Sequence, residues 1–161
     1  MAPDTLEQEV AGLLLGSKTT IAVAESCTGG LICHRLTNVP GSSEYLERGL
    51  VTYSNEAKMD MLGVAAQVIQ DHGAVSEVCV RAMAVGAKKL ARTDLGLAVS
   101  GIAGPTGGTP DKPVGTVHVA LAWSGEVQSW QYRFSGNRGQ IKKKASDEAL
   151  MRIRDYFGSI P

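Results

Sequence analysis

Long apolar runs are missing from this chain of 161 residues. No stretch approaches the ~20 consecutive apolar residues that a membrane-spanning helix needs, so we expect no membrane partner. The first ten residues, MAPDTLEQEV, are polar and acidic, unlike the start of a secretory signal peptide. These absences lead us to expect a cytoplasmic protein.

Cysteine is also scarce, with three residues at Cys27, Cys33 and Cys79. Their odd number argues against a disulfide framework, and their spacing matches no zinc motif. A chain of this length buries enough surface to fold without a covalent or metal staple. We therefore expect a reducing compartment and no metal or other cofactor.

An excess of charge of either sign is likewise absent, because Lys+Arg and Asp+Glu each count 16. A zero net charge and the lack of a basic stripe argue against nucleic acid as a partner. The chain does have 43% hydrophobic residues and 19 glycines, many of them clustered. This composition predicts one globular domain over residues 1–161, with backbone brought close to a ligand.

The apolar periodicities predict helices that alternate with strands, followed by a hairpin. The predicted class is a three-layer α/β/α sandwich, whose mixed sheet is mostly parallel with an antiparallel edge. The first predicted elements are a helix over 4–17, a strand over Thr19–Ala24, a helix from Thr28 to Thr37, a strand over Gly49–Tyr53, and a helix capped by Asn55 that ends near Leu62. A helix over Ser76–Arg92, with Val78, Ala82 and Val85 on one face, and a strand over Leu95–Ser100 follow. The chain then forms a hairpin that turns at Ser124–Glu126 and a last helix, whose apolar positions are Ile141, Ala145, Ala149, Ile153 and Phe157.

Polar or glycine-rich segments follow three of the predicted strands. They read AESCTGG (24–30), YSNEAK (53–58) and SGIAGPTGG (100–108). Ligands of open α/β sheets bind beyond the carboxyl ends of the strands. If the three strands are parallel neighbours, the segments meet at one edge and form a site.

Ser26 lies at the turn between a strand and a helix, where it could cap the helix or act as a nucleophile. A serine nucleophile needs a base, but none of His34, His72 and His118 is an obvious partner. Lys58, on the second segment, could serve as a neutral lysine base or could be a surface lysine. From the residues alone, these alternatives stay open.

Cys27 is a rival nucleophile, because a helix N-terminus lowers the pKa of a thiol, although a buried structural thiol is the simpler interpretation. Tyr53 could supply a hydroxyl or be a half-buried strand tyrosine. The glycine-rich loop could present backbone N–H groups to an oxyanion or a phosphate. Arg138, just before the last helix, could bind a phosphate or a carboxylate.

Together, five segments closely resemble the CinA C-terminal domain family over about residues 5–157. That family includes stand-alone nicotinamide-nucleotide amidases. The joint occurrence of the motifs in this order is specific, whereas any one of them alone is weak. The segments are AESCTGG (24–30), VPGSSEYLERGLVTYSNEAK (39–58), HGAVSE (72–77), SGIAGPTGG (100–108) and KPVGTV (112–117).

The resemblance implies hydrolysis of the carboxamide of nicotinamide mononucleotide to nicotinate mononucleotide and ammonia. The family's serine, tyrosine and lysine fall on Ser26, Tyr53 and Lys58, so we expect an acyl-enzyme on Ser26 with Lys58 as base and Tyr53 orienting the lysine or relaying a proton. Asn137 stands where the family usually has an acid, just before the expected arginine. The residues expected to bind substrate or the oxyanion are Cys27, Thr28, Gly29, Gly30, Asn55, Ser100, Gly101, Ile102, Ala103, Gly104 and Arg138.

Two other functions remain as alternatives at this stage. One is a non-catalytic pyridine-nucleotide-binding module of the competence- or damage-inducible type. The other is a DNA-associated protein, which the balanced charge disfavours. We expect a homodimer for the amidase as well as for these alternatives.

Overall fold

A computed structural model describes residues 2–159. A five-stranded sheet and six α-helices make up the regular structure of this part. In chain order the elements are α1 (Leu6–Ser17), β1 (Ile21–Glu25), α2 (Leu31–Thr37), a 3₁₀ turn (Ser42–Glu44), β2 (Leu46–Val51), α3 (Asn55–Leu62), α4 (Ala66–His72), α5 (Glu77–Ala91), β3 (Leu95–Gly101), β4 (Thr116–Trp123), β5 (Glu126–Arg133) and α6 (Arg138–Gly158).

The strands form one mixed sheet in the order β2-β1-β3-β4-β5. The first three are parallel, with Glu25 of β1 level with Val51 of β2 and Val99 of β3. β4 runs antiparallel to β3 and pairs with β5 in the predicted hairpin. The mixed α/β fold with an antiparallel edge is therefore confirmed, and the ends of the parallel strands meet as expected.

The two faces of the sheet carry side chains of different size. Ile21 and Val23 of β1 face the layer formed by α1, α2 and α6, whereas Ala22 and Ala24 face α5. β3 and β4 likewise direct their larger apolar residues to the side of α1, α2 and α6 and their alanines to the side of α5. These small residues let α5 approach the sheet closely. Gly96 shows how close this approach is, because a Cβ there would collide with the carbonyl oxygen of Ala84 in α5. The central strands read as continuous apolar runs because they are buried on both faces.

Two elements begin at positions other than those predicted. β2 occupies Leu46–Val51 and not Gly49–Tyr53. As an edge strand it exposes much of its length, so it lacks the apolar run on which the prediction relied. α2 begins at Leu31 and not at Thr28, because Gly29 and Gly30 adopt left-handed backbone conformations that end the turn before the helix.

The helices after β2 also differ from the prediction. The cap of α3 is Ser54, whose hydroxyl accepts from Ala57 N–H, and not Asn55. α4 was missed entirely, and it places His72 at a helix end and not in a loop. Ser76, at the predicted start of the helix, caps α5, but the face bearing Val78 and Val85 is exposed. The buried face instead consists of Cys79, Val80, Met83, Ala84, Ala87 and Ala91.

An arginine from α2 joins three helices on one side of the sheet. Arg35 Nε donates to Glu7 of α1 at 2.6 Å, and its Nη1 donates to Asp147 of α6 at 2.6 Å and to Ser146 at 2.7 Å. The Arg35 side chain is only 12% exposed. The hydrogen bond from Arg35 lowers the pKa of Glu7. Burial alone would raise the pKa of Asp147, but the hydrogen bonds from Lys143 and Arg35 outweigh it and lower that pKa.

We expect Arg35→Met to lower the free energy of unfolding by about 1–3 kcal/mol, since it leaves Glu7 without its cation and Asp147 with Lys143 alone. Both carboxyl pKa values are lower in the folded state, so this stability is present at neutral pH and lost as the pH falls through the folded-state values. Urea unfolding at pH 7 and pH 3 measures both effects. Arg48→Met, at an exposed arginine next to Glu47, serves as the control, and an equal loss there would contradict the role of Arg35.

Within residues 2–159, no helix combines the length and the apolar character needed to cross a membrane.

Candidate functional site

A cavity of about 330 Å³ lies at the carboxyl ends of β1, β2 and β3. The three segments predicted to converge all contribute to it, together with the start of α6. Ala74, Val75, Thr106 and Gly107 also line this cavity; they lie in the HGAVSE and SGIAGPTGG segments but were not predicted as individual site residues. The predicted site residues that line it are Ser26, Cys27, Tyr53, Asn55, Lys58, Ser100, Gly101, Ile102, Ala103, Gly104 and Arg138.

Lys58 and Ser26 meet inside this cavity. Lys58 Nζ lies 3.1 Å from Ser26 Oγ and is almost completely buried, with the lysine only 1% exposed. Burial lowers the pKa of Lys58 below its ordinary value, because the ammonium loses its hydration, although nearby Cys79 and Cys27 oppose the shift. A lysine in this state is available as a base beside a serine hydroxyl.

The main chain before α3 fixes the position of the Lys58 amine. Helical side chains lean toward the N-terminus of their helix, so the amine reaches back to the residues that precede it. It donates to the carbonyl oxygens of Thr52 at 2.8 Å and Tyr53 at 3.1 Å, with that of Ser54 at 3.4 Å. A neutral amine can donate to two carbonyls and still direct its lone pair at the Ser26 hydroxyl.

Ser26 does not cap α2, which settles one alternative left open by the sequence. Its N–H donates to Val99 of β3 at 3.0 Å, so the turn is tied to the neighbouring strand. The N-terminus of α2 is occupied by Glu25, a buried residue that the sequence analysis did not assign. Glu25 accepts from Ile32 N–H at 2.9 Å and Cys33 N–H at 3.1 Å. A carboxyl group of the protein itself therefore takes the place of a substrate anion at this helix.

Several backbone N–H groups around the cavity remain without a partner. Among residues 2–159, no acceptor is found for the amides of Cys27, Ala103 and Gly104, which line the cavity, or for that of Thr28, which does not. The Ile102 amide, in contrast, donates to Thr116 at 2.9 Å. Candidate oxyanion donors therefore lie on two segments, the one that carries Ser26 and the glycine-rich loop after β3.

Thr28, Gly29 and Gly30 are not among the residues that line the cavity. The Thr28 hydroxyl donates to Glu25 at 2.6 Å and is completely buried. Lys142 of α6 lies beside Gly29, close to where a Cβ would stand. The histidines do not line the cavity either, so Lys58 is the nearest candidate base.

Cys27 lies next to Ser26 but is poorly suited to nucleophilic chemistry. Burial, together with the negative charge of Glu25, raises the pKa of its thiol to about 12. Burial also raises the pKa values of Cys33 and Cys79. The cysteine beside the serine is thus a buried thiol and not an activated one.

We expect the native protein to resist alkylation by iodoacetamide at pH 8, because the thiolate is the reactive form and all three thiols are free. Mass spectrometry should find little modification before denaturation and three additions after it. Rapid labelling of Cys27 in the folded protein would instead restore it as a candidate nucleophile.

Tyr53 lies just beyond β2 and is 59% exposed, so it is not a half-buried strand residue. Its hydroxyl accepts from Arg138 Nη2 at 3.0 Å, whereas its main-chain carbonyl accepts from Lys58. Arg138 is the first residue of α6 and not part of the preceding loop. Asn137, where the resemblance predicts an acid, caps α6 by accepting from Gln140 N–H.

No group of three or more His, Cys, Asp or Glu side chains arranged to hold a metal ion occurs within residues 2–159. The chemistry available in the cavity is that of a serine, a buried lysine, an arginine and unpaired amides. This set is suited to acyl transfer with an anionic substrate.

Comparison with known proteins gives relatives that cover the whole domain. A CinA-like protein of Syntrophotalea carbinolica is 53% identical over 157 residues, covering 98% of this chain and 38% of the relative. A CinA-like protein of Syntrophus aciditrophicus is 55% identical over 161 residues, with the same coverage. The chain thus spans 38% of the length of these curated relatives.

Solved structures agree with the fold. The competence damage-inducible protein A of Klebsiella pneumoniae has a TM-score of 0.93 and 36% identity, with 97% of each chain covered. The competence/damage inducible protein CihA of Agrobacterium tumefaciens has a TM-score of 0.91 and 36% identity, with 99% of each chain covered. The family model of the CinA C-terminal domain matches residues 3–157. From this match and these relatives, the chain belongs to the CinA C-terminal domain family.

Proposed function

We propose that this domain is a nicotinamide-nucleotide amidase, which hydrolyses the carboxamide of nicotinamide mononucleotide to nicotinate mononucleotide and ammonia. The observation that carries the proposal is the 3.1 Å separation of Ser26 Oγ from a buried Lys58 amine whose pKa is lowered. A serine beside a neutral lysine is an activated nucleophile for acyl transfer.

In the acylation step, neutral Lys58 takes the proton of the Ser26 hydroxyl as the oxygen attacks the carboxamide carbon. The unpaired amides of Cys27, Ala103 and Gly104, which line the cavity, are the candidate donors to the developing oxyanion. As the tetrahedral intermediate collapses, the Lys58 ammonium protonates the leaving nitrogen. The C–N bond breaks, ammonia departs, and the nucleotide remains as an ester on Ser26.

In the deacylation step, Lys58 is neutral again and takes a proton from a water molecule. The water oxygen attacks the ester carbon, and the Ser26 oxygen leaves with a proton returned by Lys58. The products are the carboxylic acid and the free enzyme. Protons and electrons balance in both steps without a metal or a redox cofactor.

The size and lining of the cavity support a nucleotide substrate. Arg138 lines the cavity and offers a cation, and unpaired amides offer further donors for an anionic group. A volume of about 330 Å³ lies at the lower end of the range for small-molecule sites. A pyridine mononucleotide, with one planar amide and one phosphate, has the complementary chemistry.

The test is ammonia release from nicotinamide mononucleotide by the purified protein, with nicotinate mononucleotide measured in parallel. We expect the two products in equal amounts. Calorimetric binding of the nucleotide with no ammonia released would instead support a non-catalytic binding module. Absence of both binding and release would contradict each of these functions.

A further inference from the structure

Arg138 joins two walls of the cavity through a pair of hydrogen bonds. Its Nη1 donates to the carbonyl oxygen of Gly104 at 2.6 Å, and its Nη2 donates to the hydroxyl of Tyr53 at 3.0 Å. The two acceptors come from different loops, one after β2 and one after β3. The planar guanidinium is therefore held at both ends in one orientation.

Both acceptors of Arg138 are neutral. Among residues 2–159, no carboxyl group lies within ion-pair distance of its guanidinium. The hydrogen bonds to Gly104 and Tyr53 thus orient the Arg138 guanidinium, but no carboxylate in the described part of the chain neutralises its positive charge, and its remaining N–H groups are available to a ligand. A phosphate monoester has the negative charge and the arrangement of oxygen atoms that an arginine guanidinium binds best.

The glycine at position 104 is needed for this arrangement. Its φ of +78° directs the carbonyl oxygen toward Arg138, and a Cβ there would collide with Val114. The loop and the arginine therefore fit together, and the remaining contact that orients the guanidinium is the Tyr53 hydroxyl.

The hydroxyl of Tyr53 has no part in holding Lys58. The lysine amine is held by main-chain carbonyls, including that of Tyr53 itself, and these do not depend on the side chain. With more than half of its surface exposed, the Tyr53 side chain is also poorly placed for a protected proton relay.

We propose that Tyr53 is a positioning residue for Arg138, and that the pair selects substrates carrying a phosphate monoester over the corresponding nucleoside. The side chain of Tyr53 acts on binding through the arginine, while its main chain acts on Lys58. This inference rests on the proposed amidase function, which it deepens by assigning the phosphate-selective contact.

The test compares kcat and KM for nicotinamide mononucleotide and for nicotinamide riboside, which lacks the phosphate. We expect Tyr53→Phe to raise KM for the mononucleotide about ten-fold, as for a lost hydrogen bond to a charged group, with kcat changed less than about threefold. Because the riboside has no phosphate to bind, its kcat/KM should change far less. In the double variant with Arg138→Lys, the tyrosine change should add little to the arginine change.

The matched control is Tyr132→Phe, which removes another arginine-to-tyrosine hydrogen bond, that from Arg152 Nε at 2.7 Å, away from the cavity. It should leave the preference for the phosphorylated substrate as in the wild type. A kcat loss in Tyr53→Phe that is equal on both substrates, with an altered pH profile, would overturn the proposal in favour of a proton relay. Fully additive effects of the two site variants would overturn it as well.

Binding measurements distinguish two failures, that of the positioning role of Tyr53 and that of the amidase activity. If the wild type releases no ammonia, calorimetry with the mononucleotide and the riboside still measures phosphate selection. A preference for the mononucleotide that falls about ten-fold in Tyr53→Phe would then support the positioning of Arg138 by Tyr53 without the amidase activity. An unchanged preference would contradict that positioning role, whatever the activity.

Discussion

Ser26→Ala is expected to slow ammonia release from nicotinamide mononucleotide by at least about 10³-fold, as loss of a serine nucleophile does in other acyl-transfer enzymes. The variant lacks the oxygen that forms the ester, and no other nucleophile takes its place. The neighbouring thiol of Cys27 is held in its protonated form by a pKa of about 12. Steady-state ammonia release at pH 8 gives the comparison.

Ser124→Ala, in the hairpin turn far from the cavity, serves as the control for this substitution. Calorimetry should show that Ser26→Ala still binds the nucleotide, since the hydroxyl adds little to ground-state binding. Near-normal turnover by Ser26→Ala would mean that water attacks the carboxamide directly or that the reaction takes place elsewhere.

Lys58→Met is expected to reduce kcat/KM to a similar extent, by at least about 10³-fold, because the serine loses the base that lies 3.1 Å from its hydroxyl. Methionine has a similar length, so the fold should remain intact, but the carbonyl oxygens of Thr52 and Tyr53 lose their donor. We therefore expect the free energy of unfolding to fall by about 1–3 kcal/mol, which leaves the variant folded. Lys89→Met, at an exposed lysine of α5, provides the control.

The pH dependence gives the lysine role a second test. Burial lowers the pKa of Lys58, so the neutral, active amine forms at a lower pH than in an exposed lysine, for which the value is about 10.4. Wild-type kcat/KM should therefore rise with pH through a midpoint below that value. An ascending limb that persists unchanged in Lys58→Met would show that another group accounts for it.

The meeting of Ser26, Lys58 and the glycine-rich loop could be predicted, because each follows a parallel strand and such strand ends share one edge of the sheet. Local apolar patterns also identified the hairpin and α6. The resemblance to a known family identifies Ser26 as the expected nucleophile, and burial, which lowers the pKa of Lys58, gives a reason why that lysine can act as its base.

Other features depend on contacts between distant residues that no local pattern reveals. The hydrogen bond between Tyr53 and Arg138 spans 85 positions in the chain. The edge position of β2 removes the alternation that would mark its bounds. Glu25 lies in the AESCTGG segment, but its role as a buried cap of α2 depends on how the following turn bends.

The central claim is that the nucleotide becomes an ester on Ser26 before water completes the reaction. A single-turnover experiment with excess enzyme, quenched in acid, tests it by following ammonia, nicotinate mononucleotide and the peptide that contains Ser26. We predict that ammonia appears first, accompanied by an equal amount of nucleotide attached to that peptide, and that the acid follows. Simultaneous appearance of ammonia and acid at every time, with no nucleotide on the peptide, would contradict the claim.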